Sequence, residues 1–346
     1  MSAPKVSVVI PTFNRSTFLR HTIASVLAQT YPDFELVISD DASTDETTAV
    51  VRTFQDSRIK SFQNERRLGM VPNWNAAIRR ARGPYITLLE DDDWWHPEYV
   101  ARAVGTLDRY SDIAFMHTAV FLTDAQGRVT RVFKRWRTDR VCQRRTEILD
   151  LVQGNKIYLS TVMVRRSVIE TVGLFDERIP YTADWDMWLR AYTYYDGAYV
   201  AEPLLFKREH DASVTRQLSV QPAVLIEDHR YVGEKTLRRI GEVYEVGFAR
   251  RVRKLIYHHM ARWRADVQAH QAWQTYLNGK FEEARYQAAL ALQSDPLVTS
   301  RFPLRLLFIA LSKVGPCGLG RSIAGLENRL GRWLARHLPS VFHVLP

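Results

Sequence analysis

The sequence has almost no cysteine. Only Cys142 and Cys317 occur in 346 residues, which excludes a disulfide framework and a cysteine-built zinc site and fits a reducing compartment. It lacks Gly-x-Gly-x-x-Gly and Gly-Lys-[Ser/Thr], the glycine-rich loops that cradle phosphates in dehydrogenases and P-loop enzymes, and this weighs against both classes. It lacks the ~18–20 uninterrupted apolar residues of a membrane span; the nearest stretch, residues 302–311, is shorter and carries Arg305. At the N-terminus the apolar run Val6–Ile10 stops at Pro11, too short for the core of a signal peptide. These absences predict a cytoplasmic protein, peripheral at most to the inner face of the cell membrane.

What is present is ordinary globular material. With 46% apolar and 25% charged residues, the chain can bury a substantial core. Its length predicts two domains, or one large domain with an appendage. The formal charge of +10 points to an acidic partner such as nucleic acid, an anionic membrane or a phosphate-bearing substrate. Residues 1–125 hold 13 Lys+Arg against 16 Asp+Glu (net −3), residues 126–216 hold 16 against 12 (net +4), and residues 217–346 hold 19 against 10 (net +9). The excess therefore sits in the last third. That favours a membrane surface or lipid phosphate and disfavours nucleic acid, for which no known binding module appears.

The first half alternates strand and helix patterns. Apolar runs predict strands at 5–10, 34–39, 58–63 and 84–89, and helical spacing predicts helices at 17–29, 43–54, 72–81 and 96–110. Ser43-Thr-Asp-Glu46 and Ser167-Val-Ile-Glu170 read as capping boxes. The order implies an α/β fold with a doubly wound, mostly parallel, Rossmann-like sheet. Further on, the pattern predicts a hairpin around Asp124–Gly127, a mobile basic loop at 134–145, a strand at 159–164 and a helix at 184–194. After a linker near 217–222 the pattern is helical to the end. This divides the chain into 1–216 and a C-terminal α-helical region, 217–346. Within that region Ala272–Pro296 reads as a single helical hairpin. Residues 320–345 place Leu326, Leu330, Trp333, Leu334 and Leu338 beside Arg321, Arg329, Arg332 and Arg336, the phasing of a basic amphipathic helix that can lie in a membrane interface.

In doubly wound sheets, ligands bind beyond the carboxyl ends of the strands. Three polar clusters fall there: Pro11-Thr-Phe-Asn-Arg15, Asp40-Asp41-Ala-Ser43 and Glu90-Asp91-Asp92-Asp93. Four adjacent acids repel one another unless a cation compensates. Mg²⁺ and Mn²⁺ take carboxylate oxygens and share them with substrate phosphates. An isolated acidic run is more often a solvated loop or helix start, but this one directly follows the apolar Ile86-Thr-Leu-Leu89. Asp40 and Asp41 stand where a carboxylate can accept from a ribose hydroxyl or a base N–H, or cap the next helix. One residue can do each.

These clusters stand in series with Asn64, Gly69 and Asn75, Gly83-Pro-Tyr-Ile86, Trp94, Pro97 and Ala183-Asp-Trp-Asp-Met-Trp-Leu-Arg190. In that order and spacing the chain resembles glycosyltransferase family 2 over roughly residues 4–216. The resemblance implies a GT-A fold and an inverting, metal-dependent transferase that takes a nucleotide-diphospho-sugar donor and needs a divalent cation, Mn²⁺ or Mg²⁺. By position, Pro11, Thr12 and Arg15 would line the nucleotide site. Asp41 would accept from the base N–H, which favours uracil or thymine, with Asp40 close by. The family's Asp-x-Asp falls on Glu90-Asp91-Asp92, where Asp92 would bind the metal and Asp91 approach the ribose or sugar. Glu90 stands where the family has Asp. Asp184 matches the catalytic base. Lys207-Arg208-Glu209-His210, with Ser213, resembles a later segment whose basic groups and histidine face the diphosphate or metal.

Such a reaction is one in-line displacement in which a base removes the acceptor proton and cationic groups stabilise the departing diphosphate. Arg66, Arg67 and Arg208 are candidates for that diphosphate. Asp93, Trp95 and Trp185 are candidates for the acceptor side, since aromatic faces stack on sugars. The acceptor class is a glycan or a lipid-linked sugar of polysaccharide, cell-surface or glycolipid synthesis, and the basic tail would touch the membrane that carries it. Two other readings compete. A sugar-phosphate nucleotidyltransferase shares the sheet type but usually has a glycine-rich basic loop that is missing here. A non-catalytic nucleotide-sugar-binding protein would not need the intact Asp92 and Asp184.

Overall fold

The computed structural model describes residues 3–210, 213, 222–295, 297 and 298. Strands β1 (Val6–Thr12), β2 (Phe34–Asp40), β3 (Ile59–Gln63) and β4 (Tyr85–Leu88) pair in parallel in the order 3-2-1-4. β1 and β2 are buried at every residue, which is why they read as unbroken apolar runs. Helices α1 (Ser16–Leu27), α2 (Thr47–Arg52), α3 (Met70–Arg80) and α4 (Tyr99–Arg109) connect and follow them. Gly83, just before β4, has room for no side chain: a Cβ there would lie 2.8 Å from the Ser7 backbone nitrogen. The Ser7 hydroxyl accepts from the N–H of Arg82 and of Gly83 and donates to Glu35.

A second parallel pair, β6 (Ile113–Thr123) and β10 (Asp196–Arg208), joins this block through β9 (Met163–Arg165), antiparallel to both β4 and β6. β6 and β10 therefore point the same way as β1–β4. Short strands β5 (Trp94–Trp95) and β8 (Arg140–Cys142) add to β10, and β7 (Val129–Phe133) adds to β6. The α/β class and the mostly parallel sheet expected from the sequence are what form. Helices α5 (Arg144–Leu151), α6 (Arg166–Val172), α7 (Ala183–Tyr194), α8 (Pro222–Val243), α9 (Val246–Leu277) and α10 (Phe281–Ser294) complete the described chain.

Several local expectations fail for tertiary reasons. Residues 134–145 are no mobile loop. The Arg135 side chain is 4% exposed and donates to Glu147 at 2.8 Å and Asp150 at 2.7 Å, and β8 pairs with β10. Neither capping box forms. Ser43 instead accepts from the Asn14 N–H, while Asp45 accepts from the Thr47 N–H at the start of α2; α6 starts before Ser167. Residues 159–161 form a 3₁₀ turn ahead of β9.

The chain divides into two compact units, residues up to 217 with 227–255, and 218–226 with everything from 256. In the first, the core lies between the sheet and its helices, with Val8, Ile10, Leu36, Ile38, Val104 and Met116 buried. In the second, the expected helical hairpin turns at Gly279 (φ 80°). There Ala265, Ala269 and Ala272 of α9 and Ala284, Ala288 and Ala291 of α10 share a buried cluster with Trp273 and Tyr276; small side chains let the two backbones approach. Among the described residues no helix is long and apolar enough to cross a membrane. Of the expected linker at 217–222 only Pro222, the first residue of α8, is described, and the basic tail at 320–345 lies outside the described residues.

Candidate active site

The loops after β1 and β2 lock each other. The Asn14 N–H donates to Ser43 Oγ at 2.9 Å, Asn14 Oδ1 accepts from the Thr44 N–H at 2.8 Å, and the Ser16 N–H donates to Asp45 at 3.0 Å. Asn14 (φ 52°) and Ala42 (φ 60°) both hold the left-handed conformation, a strain that persists only where the surroundings enforce it. Asp40 and Asp41 stand in this lock with their acceptor positions largely filled. Asp40 accepts from the Ser43 N–H at 3.0 Å and from Gln63 at 3.1 Å. Asp41, 2% exposed, accepts from Asn64 and from the N–H groups of Leu68 and Gly69 at 2.8–3.0 Å. Gly69 caps α3 at φ 99°. Asp41 therefore shapes the 64–69 loop and keeps one Oδ2 lone pair beyond it. Arg67 on that loop covers the Phe13 ring at 4.1 Å; Arg66 is exposed.

The acidic loop after β4 differs. Thr22 of α1 donates one hydroxyl to the backbone oxygens of Asp91 and Asp93, which fixes the loop from below. Asp91 takes a long 3.4 Å contact from the Phe13 N–H; burial, with the charge of Asp92, pushes its carboxyl up to about 7 against the Thr12 hydroxyl and the Arg15 charge. For Asp92 burial acts upward too, but the His210 hydrogen bond and the charges of Lys207 and Arg15 outweigh it and hold the carboxyl low. Arg15 Nη1 lies 3.9 Å from Asp92 Oδ2, and His210 Nε2 lies 3.0 Å from the same oxygen. The two residues expected to hold a metal thus meet, although 118 positions separate them. Glu90 donates its N–H to Ser160 Oγ and faces Lys207 at 3.5 Å.

The segment after β10 binds the loop from the other side. The Arg208 N–H donates to Asp93 at 2.9 Å, and its guanidinium donates to the backbone oxygens of Asp92 and Ala125 between the rings of Phe18 and Trp94. Arg208 so placed holds the acidic loop, and Lys207 is the cation beside Glu90 and Asp93. Asp93 is 1% exposed and is pushed up by burial, against the attraction of Lys207; it lies under the site. Lys207, in the basic segment singled out from the sequence, meets Glu90 of the loop after β4, 117 residues earlier.

Asp184 lies in the first turn of α7. Its Oδ2 accepts from Asn155 at 2.7 Å and its Oδ1 from the Trp185 N–H at 2.8 Å. Burial raises its carboxyl to about 7, the Trp185 N–H opposing and the Glu90 charge adding to the rise. Asn155 escaped sequence reasoning. The two tryptophans expected to form a sugar platform are corrected by the structure. Trp95 is 2% exposed, stacks on Tyr99 and donates to the Ser160 carbonyl, and Trp185 is 3% exposed and donates to the Leu151 carbonyl. Their faces are in the core because β5 and α7 are covered on the sides that carry them.

The model of the family described as "Glycosyl transferase family 2" matches residues 7–166, the stretch that carries both loops and the acidic cluster. Over residues 7–166 the chain matches family 2 glycosyltransferases. The chain is 37% identical over 136 residues to a Campylobacter jejuni GalNAc(5)-diNAcBac-PP-undecaprenol β-1,3-glucosyltransferase, covering 38% of this chain and 42% of that protein. It spans two thirds or less of the curated relatives that head its matches. Among solved structures, S. aureus TarS 1–349 in complex with UDP superposes with a TM-score of 0.61 at 16% identity, over 86% of this chain and 91% of that one. The mannosyltransferase PcManGT from Pyrobaculum calidifontis, in complex with GDP-Man and Mn²⁺, gives 0.54 at 16% identity, over 98% of this chain and 82% of that one. At these identities the likeness establishes the glycosyltransferase fold.

Proposed function

We propose that the protein transfers a sugar from a UDP- or dTDP-linked donor to a hydroxyl acceptor, with inversion at the anomeric carbon. The observation that carries this reading is the meeting of Asp92 and His210 at 3.0 Å at the carboxyl end of a family 2 sheet. The Asp92 carboxylate, hydrogen-bonded here to the His210 imidazole, is a ligand type that suits Mn²⁺ or Mg²⁺. Asp92 and His210 would hold the ion, which would be shared with the donor phosphates. The bound ion would neutralise charge on the departing diphosphate. Arg15 and Lys207 add positive charge from either side of Asp92. Asp184, its carboxyl near 7, accepts the acceptor proton at neutral pH, with Asn155 and the Trp185 N–H orienting it. Support for the nucleotide and ion comes from UDP on TarS and Mn²⁺ on PcManGT.

UDP with Mn²⁺ is expected to raise the melting temperature, Asp92→Ala to abolish the Mn²⁺-dependent part and His210→Ala to weaken it. An unchanged shift in Asp92→Ala removes the metal assignment. A hydrolysis screen over UDP-, dTDP- and GDP-sugars identifies the donor. For the acceptor we propose a lipid-linked sugar approached through peripheral membrane contact. The Campylobacter relative, named for a PP-undecaprenol substrate, and the net +9 of residues 217–346 support it. Reversing Arg321, Arg329, Arg332 and Arg336 to Glu should cut co-sedimentation with phosphatidylglycerol vesicles at least about tenfold, given roughly 1 kcal/mol per basic residue; equal binding overturns the membrane contact.

A further inference from the structure

We propose that helix α8, which lies beyond the segment matching the family, positions Asp184 through the side chain of Asp228. The inference rests on the reading of Asp184 as the general base.

Residues on both sides of Asp184 are held by α8. Asp228 is 5% exposed, and its Oδ2 accepts from the N–H of Tyr181 at 3.0 Å and of Thr182 at 3.3 Å. These two residues lead directly into α7, and Thr182 is its cap position. The ring of His229 lies 5.0 Å from that of Trp185. Lys235 donates to Asp186 Oδ2 at 2.9 Å and to Asp176 Oδ2 at 2.6 Å. Asp228 and Lys235 are seven residues apart, two helical turns, and so share one face of α8. One grips the chain before Asp184 and the other grips it after.

The consequence follows from where Asp184 gets its own orientation. Its carboxylate touches the Trp185 N–H, inside the first turn of α7, and Asn155 of the loop after α5, so whether it meets both depends on where that turn lies. That turn begins at the two N–H groups that Asp228 fixes. Reaction geometry tolerates little error: a misplacement of about 1 Å can cost about 10²-fold in rate. α8 also buries apolar residues fully, Val232 and Ile240 among them. A buried carboxylate is a costly group to place there unless its hydrogen bonds matter. Asp228 is a positioning residue: it touches neither donor nor acceptor, and it acts on the base through the backbone. It leaves the donor-side loops, which are locked by Asn14, Ser43 and Asp45, untouched.

The test uses the full chain, Mn²⁺ and a panel of UDP-glucose, UDP-galactose and UDP-N-acetylglucosamine. It reads kcat and KM from UDP release, and UDP affinity by calorimetry. Asp228→Ala is expected to lower kcat about tenfold or more while donor KM and the UDP dissociation constant stay within about twofold. Asp228→Asn keeps an oxygen for the two N–H groups and should restore kcat to within about threefold. Lys235→Met, expected to lower kcat about threefold with KM unchanged, serves if Asp228→Ala does not fold. Asp184→Asn is the control. If it keeps wild-type turnover, the base reading fails and this inference with it. If it abolishes turnover, the positioning role is overturned by any of three results: wild-type kcat in folded Asp228→Ala, KM and UDP affinity worsening in step with kcat, or no recovery in Asp228→Asn.

Discussion

Two pairs of adjacent aspartates stand at the ends of the two strands that flank β1, and their environments are opposite. Asp40 and Asp41, at the end of β2, take hydrogen bonds from six protein donors, three of them backbone N–H groups. Asp91 and Asp92, after β4, meet fewer backbone donors: a long contact from the Phe13 N–H, with the Thr12 hydroxyl beside Asp91, and the His210 ring at 3.0 Å and Arg15 at 3.9 Å beside Asp92. A carboxylate that its own chain satisfies is architecture. One that is buried beside a like charge with few protein donors has capacity left for something the chain does not supply. On the function proposed above, the first acidic motif is the frame of the site, while the second motif and Asp184 carry its reactive capacity.

The comparison can be broken at its strongest point first. Asp184→Asn should lower donor turnover by about 10²–10⁴-fold, the usual range for a general base, with UDP affinity retained. In the wild type, kcat/KM should rise with pH and level off above about 7, because the base works only when deprotonated and its carboxyl is raised to about 7; a flat profile from pH 5 to 8 contradicts the assignment. Next, Asp41→Ala strands the N–H groups of Leu68 and Gly69 and the Asn64 amide, and should cost about 2–3 kcal/mol in urea unfolding. Asp92→Ala should cost less than that in the absence of UDP and Mn²⁺. If the two unfolding costs are equal, the distinction between frame and reactive carboxylates collapses.

How much of this was legible in the sequence depended on the range of the deciding contacts. β1, β2 and β4 read correctly because strands buried on both faces show continuous apolar runs. The carboxylates at their ends could be placed because doubly wound sheets put strand ends in one cleft. β10 did not read as a strand. Glu202 and Pro203 interrupt it, and its register with β6 shifts between Val200 and Pro203 and again before Leu205, a bulge that accommodates a residue without an N–H. The basic stretch at 134–145 looked solvated because Glu147 and Asp150, which bury Arg135, sit on the following helix. Trp95 and Trp185 carry the right chemistry for sugar stacking, and only packing against Tyr99 and the Leu151 carbonyl decides that they are core. Asn155 stands 29 residues from Asp184 with no motif of its own, and Asp228 lies outside the resemblance altogether.

The lock between the loops after β1 and β2 has a thermodynamic consequence. Its hydrogen bonds run from protein to protein, and Asn14 and Ala42 hold their left-handed conformations to make them. The ordering entropy of the nucleotide cradle is therefore lost during folding, and little of it remains to oppose ligand binding. Association with a nucleotide should then resemble docking to a rigid mould, with affinity differences among nucleotides expressed mainly in how fast they leave.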